Sequence, residues 1–190
     1  MKKINIILFF FLMILGISVS NAQTQVPNGG FENWTDTVTC DGWQGTISLM
    51  GFLNANLMVQ TDQAKTGQYA AKIQTQELML LGTIPGIATT GAMTLDIAGG
   101  GGLAITGGVP LSGKPTKLNG FFKYDNMQGD TMVIFIVTTK WNAGTQTRDT
   151  LTQAAFATNQ QVSTYEAFSI DLDYTPSSAT PDSFNIIIIS

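Results

Sequence analysis

A two-residue alternation of apolar and polar side chains constrains the fold of this 190-residue chain more than any other feature. In residues 164–175, Phe168 and Ile170 share one face of an extended strand, whereas Asp171 and Asp173 share the other. The pattern predicts a strand with one buried face and one solvated face.

Further segments also have the patterns of strands. Residues 131–141 are apolar on both faces, which predicts a central strand covered on each side. Residues 117–124 form another strand, and the turn formers at 125–130 predict a hairpin between the two. Many short strands separated by turns are typical of an all-β sandwich or barrel. The other predicted strands are 25–34, 46–60, 69–75, 93–98, 148–156 and 183–189.

Two segments depart from this regularity. Residues 68–81 leave a helix open as an alternative because their apolar spacing is mixed. Residues 82–113 hold 10 of the 20 glycines, which predicts a long, partly ordered excursion with short strands around Met93 and Leu103.

The N-terminus has the pattern of an export signal. Lys2 and Lys3 precede an apolar run at 4–17, and small residues lead to a cleavage site after Ala22. The run is shorter than the ~20 residues that a membrane-spanning helix needs. We therefore predict a signal peptide at 1–22, a single mature domain at 23–190 that does not span a membrane, and a bacterial protein that is secreted or held at the cell surface.

Composition excludes several functions. The chain has no histidine and one cysteine, Cys40, so it contains no Ser-His-Asp triad, no histidine-containing zinc site and no disulfide framework. Only 12% of its residues are charged and the formal net charge is −4, which argues against nucleic acid as a partner.

Five residues are candidates for ligand binding. An exposed aromatic ring can cover the apolar face of a sugar while polar neighbours bind its hydroxyls. Trp141 ends the central strand, and Phe121 and Lys123 share the more polar face of theirs. Asp171 and Asp173 lie about 7 Å apart along a strand, within the range of an inverting glycosidase. Any solvated strand face carries acids in this way, so we assign no catalytic residue.

Several short motifs occur in a fairly specific order over residues 26–189. They lie at 26–34, 41–43, 64–73, 113–115, 118–124, 129–131, 139–141, 165–168 and 181–183. Their order resembles the carbohydrate metabolism domain family PCMD, which belongs among secreted bacterial jelly-roll domains of the galactose-binding-like type and is often found in substrates of type IX secretion. The resemblance implies a jelly-roll β-sandwich of two antiparallel sheets and a role in carbohydrate recognition.

The resemblance also bears on the C-terminus and on metal. Family members continue into a last strand with a Val-Asp-Asp-like segment, whereas this sequence ends at Ser190 in an apolar strand without a turn. We therefore expect a C-terminally truncated copy of the domain that lacks its last strand. In related sugar-binding jelly rolls an N-terminal acid, matched here by Glu32, holds a structural Ca²⁺ together with an acid of that strand. A structural Ca²⁺ site therefore stays open as an alternative, and we expect no other cofactor.

These observations favour a secreted, non-catalytic module that binds carbohydrate, such as a polysaccharide or a surface glycan, or acts at the cell surface. A structural or adhesive module that binds protein is the first alternative. A glycoside hydrolase using Asp171 and Asp173 is the second, and we favour a protein that is not an enzyme.

Overall fold

A computed structural model describes residues 26–49, 53–78, 82–96, 102–127, 129–175 and 178–190. The predicted signal peptide at 1–22 lies outside the described residues. The described residues contain fifteen strands and no helix, and every strand pair is antiparallel. The strands are β1 Thr46–Leu49, β2 Leu53–Asn56, β3 Met58–Thr61, β4 Ala70–Ile73, β5 Gln76–Leu78, β6 Gly82–Ile84, β7 Ile87–Thr89, β8 Ala92–Asp96, β9 Gly102–Thr106, β10 Val109–Pro110, β11 Lys117–Tyr124, β12 Met132–Asn142, β13 Thr147–Thr158, β14 Val162–Asp171 and β15 Ser183–Ile189.

The largest sheet has five strands and is centred on β15 and β12. Its order is β10, β15, β12, β13, and β7 pairs with β15 on the same side as β10. The long β12–β13 hairpin turns at residues 143–146, and Asn142 Oδ1 stabilises the turn by accepting the N–H of Gly144 at 3.0 Å. The predicted central strand at 131–141 is therefore confirmed.

Both faces of this sheet are covered. On one face, Ile134 of β12 and Ile186 of β15 belong to the main hydrophobic core. On the other, Ile187 and Ile189 of β15 pack against a second core that includes Ile87 and is built largely by the strands before residue 97. Two-sided burial explains why β15 is a continuous apolar run without alternation.

β11 and β14 form a separate two-stranded ladder that packs over the main core. Phe122 and Tyr124 of β11 are buried there, as is Ile170 of β14. Rings of Phe122, Phe156 and Phe168 interlock between the layers, with centroids 5.2 to 6.4 Å apart. The prediction of an all-β sandwich is thus confirmed.

The predicted hairpin between residues 117–124 and 131–141 is wrong. β11 pairs with β14, whereas β12 pairs with β13 and β15. The chain between β11 and β12 crosses from one layer to the other because both edges of β12 are taken. Face-to-face packing lets both strands bury apolar side chains in the main core.

Three other expectations need correction. Residues 26–34 form turns and one isolated bridge at Trp34 instead of a strand, because Asn28 bonds to the backbone locally. Residues 46–60 break into three strands. The helical alternative for 68–81 is wrong over 68–78, which contain β4 and β5, and residues 79–81 lie outside the described part.

Candidate functional site

Alternate residues of β11 and β14 project to one solvent-exposed side of their ladder, which we call the outer face. Because directly paired residues of an antiparallel ladder project to the same side, the pairing Lys117–Asp171, Asn119–Ser169 and Phe121–Ala167 defines its rows. The buried residues between them point to the core. The outer face comprises Lys117, Asn119, Phe121 and Lys123 of β11 and Tyr165, Ala167, Ser169 and Asp171 of β14.

Phe121 lies in the middle of the outer face. Its side chain is 57% exposed, and its partner across the ladder is Ala167, which is too small to cover the ring. The ammonium group of Lys65 lies 5.4 Å from the ring centroid. A large apolar ring that remains open to solvent among polar neighbours is the arrangement expected of a stacking surface for a ligand.

The loop formed by residues 62–68 borders this ring. Lys123 Nζ donates to Gln63 Oε1 at 3.2 Å and lies 5.7 Å from the centroid of the Tyr165 ring. The Tyr165 hydroxyl donates to the backbone carbonyl of Gln63 at 2.5 Å, and burial raises the pKa of this tyrosine. Gln63, Lys65 and Tyr165 were not predicted as site residues. The alternation of β14 would have placed Tyr165 on this face, but no local signal places the loop there.

The carboxylate of Glu32 holds the other end of the same loop. Its oxygens accept the N–H of Gln68 at 3.1 and 3.0 Å and the N–H of Tyr69 at 3.2 Å. Gly67 has φ +76°, and a Cβ there would lie 2.0 Å from Glu32 Oε1, so only glycine lets the carboxylate approach this closely. Asn28 in turn fixes Glu32, because its Oδ1 accepts the N–H of Glu32 at 3.0 Å.

These contacts do not fit a calcium site at Glu32. Its carboxylate oxygens already accept backbone N–H groups, whereas Ca²⁺ requires six or more oxygen ligands. Across the described ranges no group of three or more Cys, Asp or Glu side chains lies close enough to hold a metal ion.

The two aspartates have separate local roles. Asp171 forms an ion pair with Lys117 at 2.8 Å, so it remains on the outer face. Asp173 follows the end of β14, and its Oδ1 accepts the N–H of Thr175 at 2.8 Å. Hydrogen bonds from Thr175 lower the pKa of Asp173, which is the opposite of what a general acid requires.

Trp141 belongs to a different sheet. Its indole is 50% exposed at the end of β12, and Trp141 lies opposite Arg148 of β13 in the strand ladder. Asp182 contacts both residues: it accepts the backbone N–H of Trp141 at 2.9 Å and forms an ion pair with Arg148 at 2.6 Å. Hydrogen bonds from Trp141 and Arg148 lower the pKa of Asp182. The structure therefore brings Phe121, Lys123 and Asp171 together on one face but leaves Trp141 on another sheet.

The two N-terminal tryptophans are structural. Trp43 is buried, its Nε1 donates to the Pro27 carbonyl at 3.1 Å, and its ring centroid lies 4.9 Å from that of Phe31. Trp34 is half-buried, and its Nε1 donates to the Phe31 carbonyl at 2.5 Å.

No family model and no curated protein matches the chain. Solved structures with a similar fold include a candidate glycoside hydrolase from Bacteroides thetaiotaomicron VPI-5482, with a TM-score of 0.54, 15% identity, and coverage of 70% of this chain and 49% of that one. Another is a candidate glycoside hydrolase from Bacteroides vulgatus ATCC 8482, with a TM-score of 0.52, 16% identity, and coverage of 70% and 66%. The chain thus spans about half of the first protein, and the likeness shows the fold alone.

The part of the chain that the structure describes includes no helix long and apolar enough to cross a membrane.

Proposed function

We propose that this protein is a secreted or cell-surface bacterial module of the PCMD type that binds carbohydrate through its outer face without cleaving it. The observation that carries the proposal is the open ring of Phe121, flanked by Asn119, Ser169 and Lys123. The ring offers a surface for the apolar face of a sugar, and the amide, hydroxyl and ammonium groups offer partners for its hydroxyls.

Three further observations support the proposal. The signal-like sequence at 1–22 supports export. The similar solved structures carry names of carbohydrate-active proteins, so a glycan is the ligand class we infer for this chain. The lowered pKa of Asp173 and the ion pair of Asp171 favour a binding role over hydrolysis.

Titration of the mature domain with a broad panel of polysaccharides tests this function. We expect Phe121→Ala to weaken glycan binding about two- to tenfold, because stacking on an aromatic ring contributes about 0.5–1.5 kcal/mol. Trp141→Ala is the matched control: it removes a comparably exposed ring from another sheet and should leave the affinity unchanged. Isothermal calorimetry measures both. Absence of heat with every glycan, or loss in the Trp141 variant alone, would reject the proposal.

A further inference from the structure

β13 is the outermost strand of the five-stranded sheet and has a free edge. Within the described ranges it forms a ladder with β12 on one side and with no strand on the other. A free edge presents a row of backbone N–H and C=O groups that can pair with another strand. At twelve residues β13 is long, so this row extends well beyond the length of an ordinary strand.

Two other edge strands are protected against such pairing, whereas β13 is not. At the opposite edge of the same sheet, β10 has two residues and contains Pro110, which has no N–H to donate. In the other layer, β14 carries Glu166 opposite the buried Phe122, so an added strand would bury a charge. Short strands, proline and inward-pointing charges are the usual means of blocking an edge. Residues 150–165, which include most of β13, have no charged side chain and no proline.

The two ends of the described chain lie away from this edge. A groove of about 1660 Å³ lies between β4 and β11, and both Val26 and Ser190 border it. Ser190 forms hydrogen bonds with Ile73 and Thr75 beside that groove. No residue of β13 lines the groove, and β12 separates β13 from β15. Neither end is therefore placed to supply a strand to β13.

The sequence of β13 complements a second copy of itself. A two-fold axis perpendicular to a sheet pairs an edge strand with its own copy in antiparallel orientation. A bulge at Leu151 interrupts the ladder with β12, so the regular part of β13 is 152–158 and its centre is Ala155. With Ala155 opposite its own copy, the facing pairs are Thr152–Thr158, Gln153–Ala157 and Ala154–Phe156.

These pairs suit cross-strand packing between identical chains. Threonine meets threonine, and the small Ala154 meets the large Phe156, as favourable cross-strand pairs do. A charge at the centre of a two-fold pair would meet its like, and here the centre has none. The whole chain has a formal net charge of −4, so two copies repel each other elsewhere on their surfaces. The uncharged edge of β13 is thus a place where two copies can approach.

We propose that two copies of this protein pair along β13 around Ala155 and join their five-stranded sheets into one continuous sheet. Such pairing keeps the β11–β14 layers of both copies on the same side of the joined sheet. The dimer therefore presents two outer faces in one direction, and, resting on the proposed function, one polysaccharide chain can bind both. A single strand pair is small beside the interfaces of permanent dimers, so the dimer should dissociate on dilution.

Sedimentation of the mature domain over a concentration series tests the pairing. We expect monomer to convert to dimer as the concentration rises, with residues 152–158 gaining protection from hydrogen exchange. Ala155 is exposed, so a charge there leaves the core intact. Ala155→Lys and Ala155→Glu each place like charges opposite one another and should each be monomeric. An equimolar mixture of the two variants should form a dimer again, because lysine then faces glutamate.

Ala104→Lys, the same change at an exposed alanine of β9, is the matched control and should dimerise like the wild type. Phe121→Ala should also dimerise, so a failure of glycan binding leaves this proposal standing. Three results would overturn it: a monomer at millimolar concentration, no dimer in the mixture of the lysine and glutamate variants, and growth into open-ended oligomers instead of a closed dimer. Each is read without any glycan, so the two proposals fail separately.

Discussion

Glu32 lies 36 residues before Gln68 in sequence, yet its carboxylate determines where the loop at 62–68 rests. That loop supplies Gln63 and Lys65 to the neighbourhood of Phe121. An acidic side chain that accepts several N–H groups forms charge-assisted bonds, which are stronger than neutral ones. A residue outside the candidate glycan surface thus positions part of it.

We expect Glu32→Gln to loosen this loop and to destabilise the domain by about 1 kcal/mol, because an amide replaces one accepting oxygen by a donor that faces other donors. Urea denaturation measures the change in the free energy of unfolding. Asp62→Asn, an exposed acid in the same loop, is the control and should change stability by less than about 0.5 kcal/mol. Equal effects of the two variants would contradict a specific role for Glu32.

At the scale of strands, the β11–β14 ladder depends on close contact between a glycine and an aromatic ring. Gly120 lies directly opposite Phe168, and a Cβ built on Gly120 would come within 2.5 Å of that ring. The ring cannot retreat freely, because it stacks on Phe156 at 5.8 Å and meets the edge of Phe122 at 6.4 Å. The small residue thus allows three aromatic side chains to join the two layers.

Gly120→Ala should destabilise the domain by about 1–3 kcal/mol, because the added methyl group forces the packed ring to shift. Gly102→Ala is the matched control in β9, where a Cβ would meet nothing within 4 Å and the backbone has no positive φ. This control should change stability by less than about 0.5 kcal/mol. Thermal or urea unfolding of the two variants measures the difference, and a neutral Gly120→Ala would show that the ring cluster is loosely packed.

At the scale of the whole molecule, the groups whose pKa is shifted form two sets, one that titrates well below neutral pH and one well above it. Hydrogen bonds to backbone or side-chain groups lower the pKa of Asp36, Asp173 and Asp182. Burial raises the pKa of Cys40 to about 11 and also raises the pKa of Tyr124, among other tyrosines. The chain has no histidine, so no side chain of that type titrates near neutrality.

The stability of the domain should therefore be nearly constant from about pH 5 to pH 8. Aspartates with lowered pKa stabilise the fold above about pH 4, and this contribution is lost as the pH falls through their folded-state pKa values. The buried thiol and phenols contribute below their unfolded-state pKa values, and this contribution is lost as the pH rises toward 11. Midpoints of urea denaturation measured across the pH range test this prediction. We expect Asp182→Asn to reduce the loss of stability at acid pH. A maximum confined to neutral pH would contradict it.

The local pattern of apolar residues determined much of this protein. The period of two identified the strand β11 closely and assigned Phe121 and Lys123 to its exposed face and Ile170 to the buried face of β14, whereas runs that are apolar on both faces identified β12 and β15. These assignments succeed because the direction of a side chain along a strand is a local property of the backbone.

The tertiary structure decided which strands are neighbours and which distant residues meet. The partner of β11 is β14 and not β12, the loop at 62–68 rests beside Phe121, and the edges of β4 and β11 border a common groove. These contacts depend on which arrangement of the two layers buries the most apolar surface while pairing the most backbone groups. That balance is a property of the whole chain, so no local pattern in the sequence expresses it.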